Sequence, residues 1–390
     1  SFSWAMRSPS TGRVEVPFSA RFHFARSGRN PDGKPVEGLR MVWTETTGTG
    51  IAITAGHGVG VPMPPEEAGV GAPAGPMTQF SHRPVMVGEV VDLLAGAPPG
   101  VVLDATVGGG GHAAALLESA PHLSVVGLDQ DPEAVAAASA VLAPYGPRAT
   151  VLRSRFDRLG EVLDGAGVDR LAGALFDLGV SSPQLDQSER GFSYRSDAPL
   201  DMRMDPAQPT TAADIVNGWT ARDMASLFRE HGEARFASRI ARAIVSTRPL
   251  STTSQLAEVV RSAIPAAARR TGGHPARRVF QAIRVAVNEE LDILPAAIDS
   301  AIARLQPGGR CVVLAYHSGE DRIVKERFRL AATGGCVCPP GLPCVCGAQP
   351  TVRLLTRGVR KPSADEVASN RRAESARLRA VERLPELGRP

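Results

Sequence analysis

From residue 85 onward the apolar positions keep two alternating rhythms. Val87, Val90, Val91 and Leu94 are spaced for one face of a helix, which the Gly/Pro-rich stretch 96–100 stops. A β-branched run at 101–103 leads into Asp104 and four consecutive glycines at 108–111, and helix formers resume over 113–119. A second apolar run, 124–128, ends in Asp129, and a helix with Pro132 in its first turn is predicted to reach Leu142. Further strands are predicted at 150–154 and 171–177. Strands and helices alternating at this pace predict a parallel, doubly wound sheet that takes ligands at its strand C-termini. Asp104, Asp129 and Asp177 each stand at such an end, and three acids in register favour a site.

After Asp177 the alternation stops. Met224, Leu227, Phe228, Phe236, Ile240 and Ile244 fall at helical spacing. So do Leu256, Val259, Val260, Ala263 and Ile264, behind a Ser/Thr cluster at 251–254 suited to a helix N-cap. Sheet pattern returns only at 310–317, RCVVLAYH. The economical reading is a helical domain over 186–295 inserted into one α/β domain that occupies 77–185 and 296–362, with 363–390 as a basic C-terminal tail. Residues 1–76 carry scattered Pro and Gly without regular apolar spacing and are expected to be a disordered extension. Met77 stands just ahead of the first patterned segment, so these residues are expected to be dispensable or to lie upstream of the natural start.

The glycine loop meets the pattern G-x-G-x-x-G/A through Gly108, Gly110 and Ala113, with Asp129 placed to take ribose hydroxyls. Dinucleotide sites, S-adenosyl-L-methionine sites and plain structural turns all satisfy that spacing. A dinucleotide sets its pyrophosphate on the helix N-terminus, whereas S-adenosylmethionine has no phosphate and leaves room for side chains such as Asp104 and His112.

Charge sharpens the picture of the insertion. The 390-residue chain has a net charge of only +4, which permits a nucleic-acid partner without demanding one. Between residues 235 and 284, however, ten arginines face one acid, Glu258. Arginine's planar fork binds phosphate bidentately, so this stretch is predicted as a polyanion-binding face, with Arg269, Arg270, Arg277 and Arg278 as RNA contacts. No apolar run approaches the roughly eighteen residues of a membrane span, so a cytoplasmic protein with no membrane partner is expected. Four of the five cysteines crowd into 336–346, unlike a secreted disulfide framework. Cys336, Cys338, Cys344 and Cys346, on a proline-stiffened loop, make a candidate structural zinc site. Cys311, inside a strand, is expected in the core.

The fourth strand enters FDLGVSSPQLD at 176–186. Methyltransferases that act on exocyclic amines hold the acceptor in a polar, proline-containing loop after this strand, the place taken by Ser181, Ser182, Pro183 and Gln184. Methylation of a pyrimidine ring carbon would need a cysteine beside that loop, and all five lie at or beyond Cys311.

GGGGH at 108–112, LDQDPEA at 128–134, FDLGVSSPQLD, RGF at 190–192, LDMRMD at 200–205, HGEARFASRIARAIV at 231–245, HPARRVFQAIRVAVNEEL at 274–291 and YHSGEDRIVK at 316–325 together resemble the bacterial 16S ribosomal RNA (cytosine-N4)-methyltransferase family over about residues 80–383. The resemblance implies a Rossmann-like class I methyltransferase sheet with an inserted helical substrate-recognition domain. It implies methylation of the N4 amine of a decoding-centre (P-site) cytosine in 16S rRNA of the small ribosomal subunit, with S-adenosylmethionine as donor. Matching cofactor contacts are Gly110, Gly111, His112, Asp129, Phe156, Asp177 and Gln184; read from the residues alone, Phe156 would be core. Asp177, Ser181, Ser182, Pro183 and His317 become the catalytic candidates. For His317, Glu320 and Asp321 a helix-capping role and an acceptor role both stand open. Gly319 occupies a position where the family usually has leucine, and is expected to loosen the turn after His317.

Two other function classes remain. A nicotinamide oxidoreductase would leave the arginine-rich insertion unexplained. A non-catalytic ribosome-assembly factor would tolerate loss of Asp177, which an enzyme would not. Monomer and homodimer both remain open.

Overall fold

The computed structural model describes residues 84–181, 184, 187–231, 233–268, 274, 276–339 and 345–385. The extension 1–76 and the candidate residues Ser182, Pro183, Arg269, Arg270 and Cys344 lie outside the described residues.

Seven strands form one sheet: β1 (Gly100–Asp104), β2 (Leu123–Asp129), β3 (Ala149–Arg153), β4 (Leu171–Asp177), β5 (Leu305–Ala315), β6 (Val352–Leu354) and β7 (Arg377–Arg383), in the order β3-β2-β1-β4-β5-β7-β6. The first five are mutually parallel, and β7 runs antiparallel to both β5 and β6. The order reverses where β1 meets β4, and in open α/β sheets the ligand crevice opens outside the strand ends at that point.

Helices α1 (Val87–Ala95), α2 (Gly111–Ser119), α3 (Pro132–Leu142) and α4 (Leu159–Gly165) connect the first four strands. Between β4 and β5 come α5 (Ala212–Gly218), α6 (Ala221–Glu230), α7 (Ala237–Thr247), α8 (Thr253–Ala263), α9 (Ala276–Asn288) and α10 (Glu290–Arg304); α11 (Ser318–Thr333) and α12 (Ala364–Ser369) follow β5. Strand side chains alternate between two cores. Val102, Val312 and Leu314 join Leu94, Leu116 and Leu142 on one face, while Leu103, Cys311 and Val313 join Leu159, Ile298 and Phe328 on the other. Because both faces are covered, the strands read as continuous apolar runs.

Helices α5 to α9 have their own core, in which Met224, Phe228, Ile240, Ile244, Leu256, Val260 and Ile283 are fully buried. Capping sets their starts. Thr211 and Thr252 form reciprocal capping boxes with Asp214 and Gln255, and a cap of this kind is worth about 1 kcal/mol.

Two expected boundaries need correction. Residue 295 falls inside α10, which buries Leu294, Ile298 and Ile302 against the sheet; the break comes earlier, at Glu289, whose φ of 53° parts α9 from α10. Apolar spacing runs unbroken through both helices and conceals it. Nor is 363–390 simply a basic tail: it contains α12 and β7. Its arginines alternate with Leu378 and Ala380, both fully buried, so basic composition concealed a strand. Among the described residues no helix is long and apolar enough to cross a membrane.

Candidate active site at the strand C-termini

The loop after β1 is built on glycine. Gly108 and Gly110 have φ of +51° and +82°, and a Cβ on Gly110 would lie 3.2 Å from the Ala138 backbone. The Gly108 N–H donates to Asp129 Oδ2 (3.0 Å) and the Asp131 N–H to Asp129 Oδ1 (3.0 Å), tying the loop to the end of β2. Burial pushes the Asp129 carboxyl up to about 6 despite these bonds. Each oxygen keeps a lone pair for a further donor such as a ribose hydroxyl. Beside it Gln130, Ser154, Arg155 and Asp205 border an open cavity of about 410 Å³, within the range of small-molecule sites. Phe156, half-buried just past β3, packs edge-on against Phe176 with ring centres 6.0 Å apart.

Asp104, His112 and Asp177 converge where β1 meets β4. Burial pushes Asp104 up to about 7, with His112 opposing the rise. His112 Nε2 lies 2.9 Å from the Val85 carbonyl and Nδ1 3.5 Å from Asp177 Oδ2. With Nε2–H given to the carbonyl, the contact at Nδ1 needs one proton, carried by the imidazole or the carboxyl. Burial raises the Asp177 carboxyl, opposed first by His112 and then by the Tyr316 hydroxyl, which donates to Asp177 Oδ1 at 2.7 Å. The Asp177 N–H donates to Thr106 Oγ1 (2.6 Å), fixing the backbone beneath. The Met86 N–H donates to Glu366 Oε1 (2.6 Å), so α12 holds the segment whose carbonyl orients His112.

The raised Asp104 sets a pH dependence. An unfolded aspartate titrates near about 3.9. The protonated form therefore favours the fold, and its contribution is full below about pH 4 and lost as pH rises through the folded value of about 7. Asp104→Asn, neutral throughout, is expected to flatten the fall in melting temperature across that window. Parallel curves for variant and wild type would refute the assignment.

After β4 the chain folds back through side-chain bonds. The Ser181 N–H donates to Gln184 Oε1 (3.0 Å), and Gln184 Nε2 donates to Asp131 Oδ2 (2.9 Å). Arg190 Nη1 lies 3.1 Å from the same Asp131 oxygen, while Nη2 donates to the carbonyls of Arg203 (2.9 Å) and Met204 (3.1 Å). Asn288 completes the brace, accepting from the Met204 N–H and donating to the Met202 carbonyl, both at 2.8 Å. The RGF and LDMRMD motifs are thus scaffolding for the loop. Gln184, expected at the cofactor, has both ends of its amide occupied by protein and is 3% exposed. Ser181 instead holds a buried hydroxyl with no hydrogen-bond partner among the described residues, beside the glycine loop at Gly108. A buried orphan hydroxyl over an open glycine turn fits a site for a ligand that brings its own polar groups.

Beyond β5, His317 caps α11. Its Nδ1 accepts from the Gly319 and Glu320 N–H groups (3.2 and 3.4 Å), and Glu320 Oε2 accepts from the Tyr316 and His317 N–H groups (2.7 and 3.1 Å). Asp321 accepts from Arg379 Nε on β7 at 2.7 Å. The geometry thus shows capping, with His317 Nε2 also 2.9 Å from Glu320 Oε1. Tyr316 and Thr106 were not singled out as site residues in the sequence, although Tyr316 opens the motif YHSGEDRIVK.

The arginine-rich stretch is not one face. Arg284 is half-buried and forms a fork with Glu290 (2.8 and 2.9 Å), joining α9 to α10. Arg248 donates to the Val216 carbonyl (2.7 Å) and to that of Trp219, and Arg261 pairs with Glu258. Arg235, Arg239, Arg242, Arg277 and Arg278 are exposed, Arg278 lying 3.6 Å from Glu233.

Residues 79–384 match the model of the MraW methylase family. Proteins called ribosomal RNA small subunit methyltransferase H from Symbiobacterium thermophilum, Thermobifida fusca and Acidothermus cellulolyticus are 51%, 52% and 53% identical to this chain. The alignments cover 78%, 83% and 78% of this chain and 97%, 97% and 94% of the relatives. Among solved structures, an rRNA methylase from Streptococcus thermophilus covers 79% of this chain and 100% of its own at 13% identity and a TM-score of 0.36, too loose a likeness to bear on function.

Proposed function

The chain belongs to the MraW methylase family, and from that premise we propose that it methylates the N4 amine of a decoding-centre (P-site) cytosine in 16S rRNA of the small ribosomal subunit, with S-adenosylmethionine as donor. The observation that supports this most is the meeting of Asp104, His112, Asp177 and the unpartnered Ser181 hydroxyl at the glycine loop, where the strand order reverses.

S-adenosylmethionine, when bound, supplies an electrophilic methyl group on a sulfonium. The glycine loop with Gly110, Gly111 and His112 would hold it, Asp129 would take its ribose, and Phe156 would border its base. The amine of cytosine has its lone pair drawn into the ring, so the protein must hold that NH2 with acceptors and aim it. Ser181 Oγ and the Asp177 carboxyl are acceptors of the required kind, and Asp177 can take the proton that N4 sheds. Tyr316 and His112 fix where that carboxyl points. Cys311 cannot serve as a nucleophile toward a ring carbon: it is fully buried in β5, and burial pushes its thiol up to about 12. The exposed arginines of the insertion would bind rRNA phosphates, and the place of action would be the cytoplasm.

Incubation with labelled S-adenosylmethionine and small subunits lacking the modification, followed by nuclease digestion and mass spectrometry, is expected to yield N4-methylcytidine. Binding of cofactor and subunit without a modified nucleoside would favour an assembly role instead. A methyl group at a ring carbon would overturn the reading of the Ser181 loop.

A further inference from the structure

Cys336, Cys338 and Cys346 lie between α11 and β6. Val337 and Val345, interleaved with the cysteines, are 86% and 89% exposed, so burial of these two side chains does not explain why the thiols gather. Yet their sulfurs all lie within 4.8 Å of one another, with Cys336 and Cys346 Sγ 3.6 Å apart. A disulfide would need about 2.05 Å, whereas a tetrahedral zinc with Zn–S bonds of about 2.3 Å sets neighbouring sulfurs about 3.8 Å apart.

We infer that Cys336, Cys338 and Cys346 bind a zinc ion that clasps this loop. The backbone is shaped for it. Gly335 and Gly347, flanking the cluster with φ of +73° and +72°, let the chain double back at both ends. The Val345 N–H donates to Cys338 Sγ at 3.4 Å, the kind of amide contact that a metal-bound sulfur accepts. Three soft donors with no carboxylate or imidazole among them select zinc over magnesium, calcium or manganese. The described residues supply three ligands, and the fourth is left unassigned.

The role is structural. The cluster follows the C-terminus of α11, and the 16 residues of that helix place it about 24 Å from the His317 end. It would fasten α11 to the sheet edge, where the Thr351 N–H already donates to the Ala331 carbonyl (2.9 Å) and the Cys336 N–H to that of Thr333 (3.1 Å).

The test is metal analysis of the full chain purified in reductant without chelator. About one zinc per chain is expected, released by a thiol-blocking mercurial. Cobalt(II) exchanged into the wild-type chain should give the intense visible bands of a tetrahedral thiolate site. Cys336→Ser and Cys346→Ser should each lower zinc affinity by tenfold or more. A folded wild-type chain that takes up neither zinc nor cobalt would refute the proposal, as would bound iron in place of zinc or a Cys336–Cys346 disulfide persisting in reductant. The cobalt spectrum of the wild type decides the matter even if the variants fail to fold.

Discussion

Asp177→Ala is expected to slow methyl transfer to small subunits by about 10²–10⁴-fold, the usual contribution of a positioned acid–base group. The side chain sits at the end of β4, takes the Tyr316 hydroxyl on one oxygen, and faces His112 with the other. Alanine removes the acceptor and leaves the Tyr316 hydroxyl unpaired, at a stability cost of about 1–3 kcal/mol. Asp177→Asn separates the two effects, because its amide oxygen can keep the Tyr316 bond but cannot take a proton. It should therefore melt close to wild type and still be slow. If Asn restores wild-type turnover, Asp177 is a scaffold and the proton must leave by another route. Single-turnover transfer measured across pH, with melting temperatures alongside, distinguishes the two.

Arg190→Met should cost about 3–5 kcal/mol, because breaking one side of a buried pair leaves the other charge uncompensated. Asp131 is 2% exposed and Arg190 14%, so solvent cannot replace the lost partner. The same substitution strips donors from the Arg203 and Met204 carbonyls. Denaturant unfolding should show the loss. A second change at Asp131, to asparagine, should recover part of it, since no stranded carboxylate then remains. A wild-type midpoint for Arg190→Met would mean that the loop bearing Ser181 and Gln184 is braced from elsewhere.

These two residues show what the sequence could and could not disclose. Strands β1 to β4 were legible almost to the residue, since each is a short apolar run and those of β1, β2 and β4 end in an acid, the three carboxylates falling in register. Asp177 was legible for that reason. Arg190 was not: its partners lie 13 to 59 positions away in sequence, and only the folded loop brings Asp131 and the two carbonyls around one guanidinium. The arginine count misled in the same way, because Arg284 and Arg248 bind Glu290 and backbone carbonyls of this chain, and composition cannot separate them from free surface arginines. Gln184 was legible as part of a matching motif, but not the bonds by which its side chain holds its own loop. Tyr316 follows a buried strand, and nothing in the sequence pattern shows its hydroxyl meeting Asp177 across the sheet.

β7 occupies an inner place in the sheet, between β5 and β6, although it is the last of the seven strands in the chain. A ribosome therefore delivers it after both its neighbours, and until then the hydrogen-bonding edge of β5 stands open and β6 has nothing to pair with. Synthesis proceeds at about 5–20 residues per second and favours early folding of N-terminal units. Here that advantage ends at β5: the growing chain must carry a bare edge, the feature that most invites pairing with another molecule, until its final strand arrives.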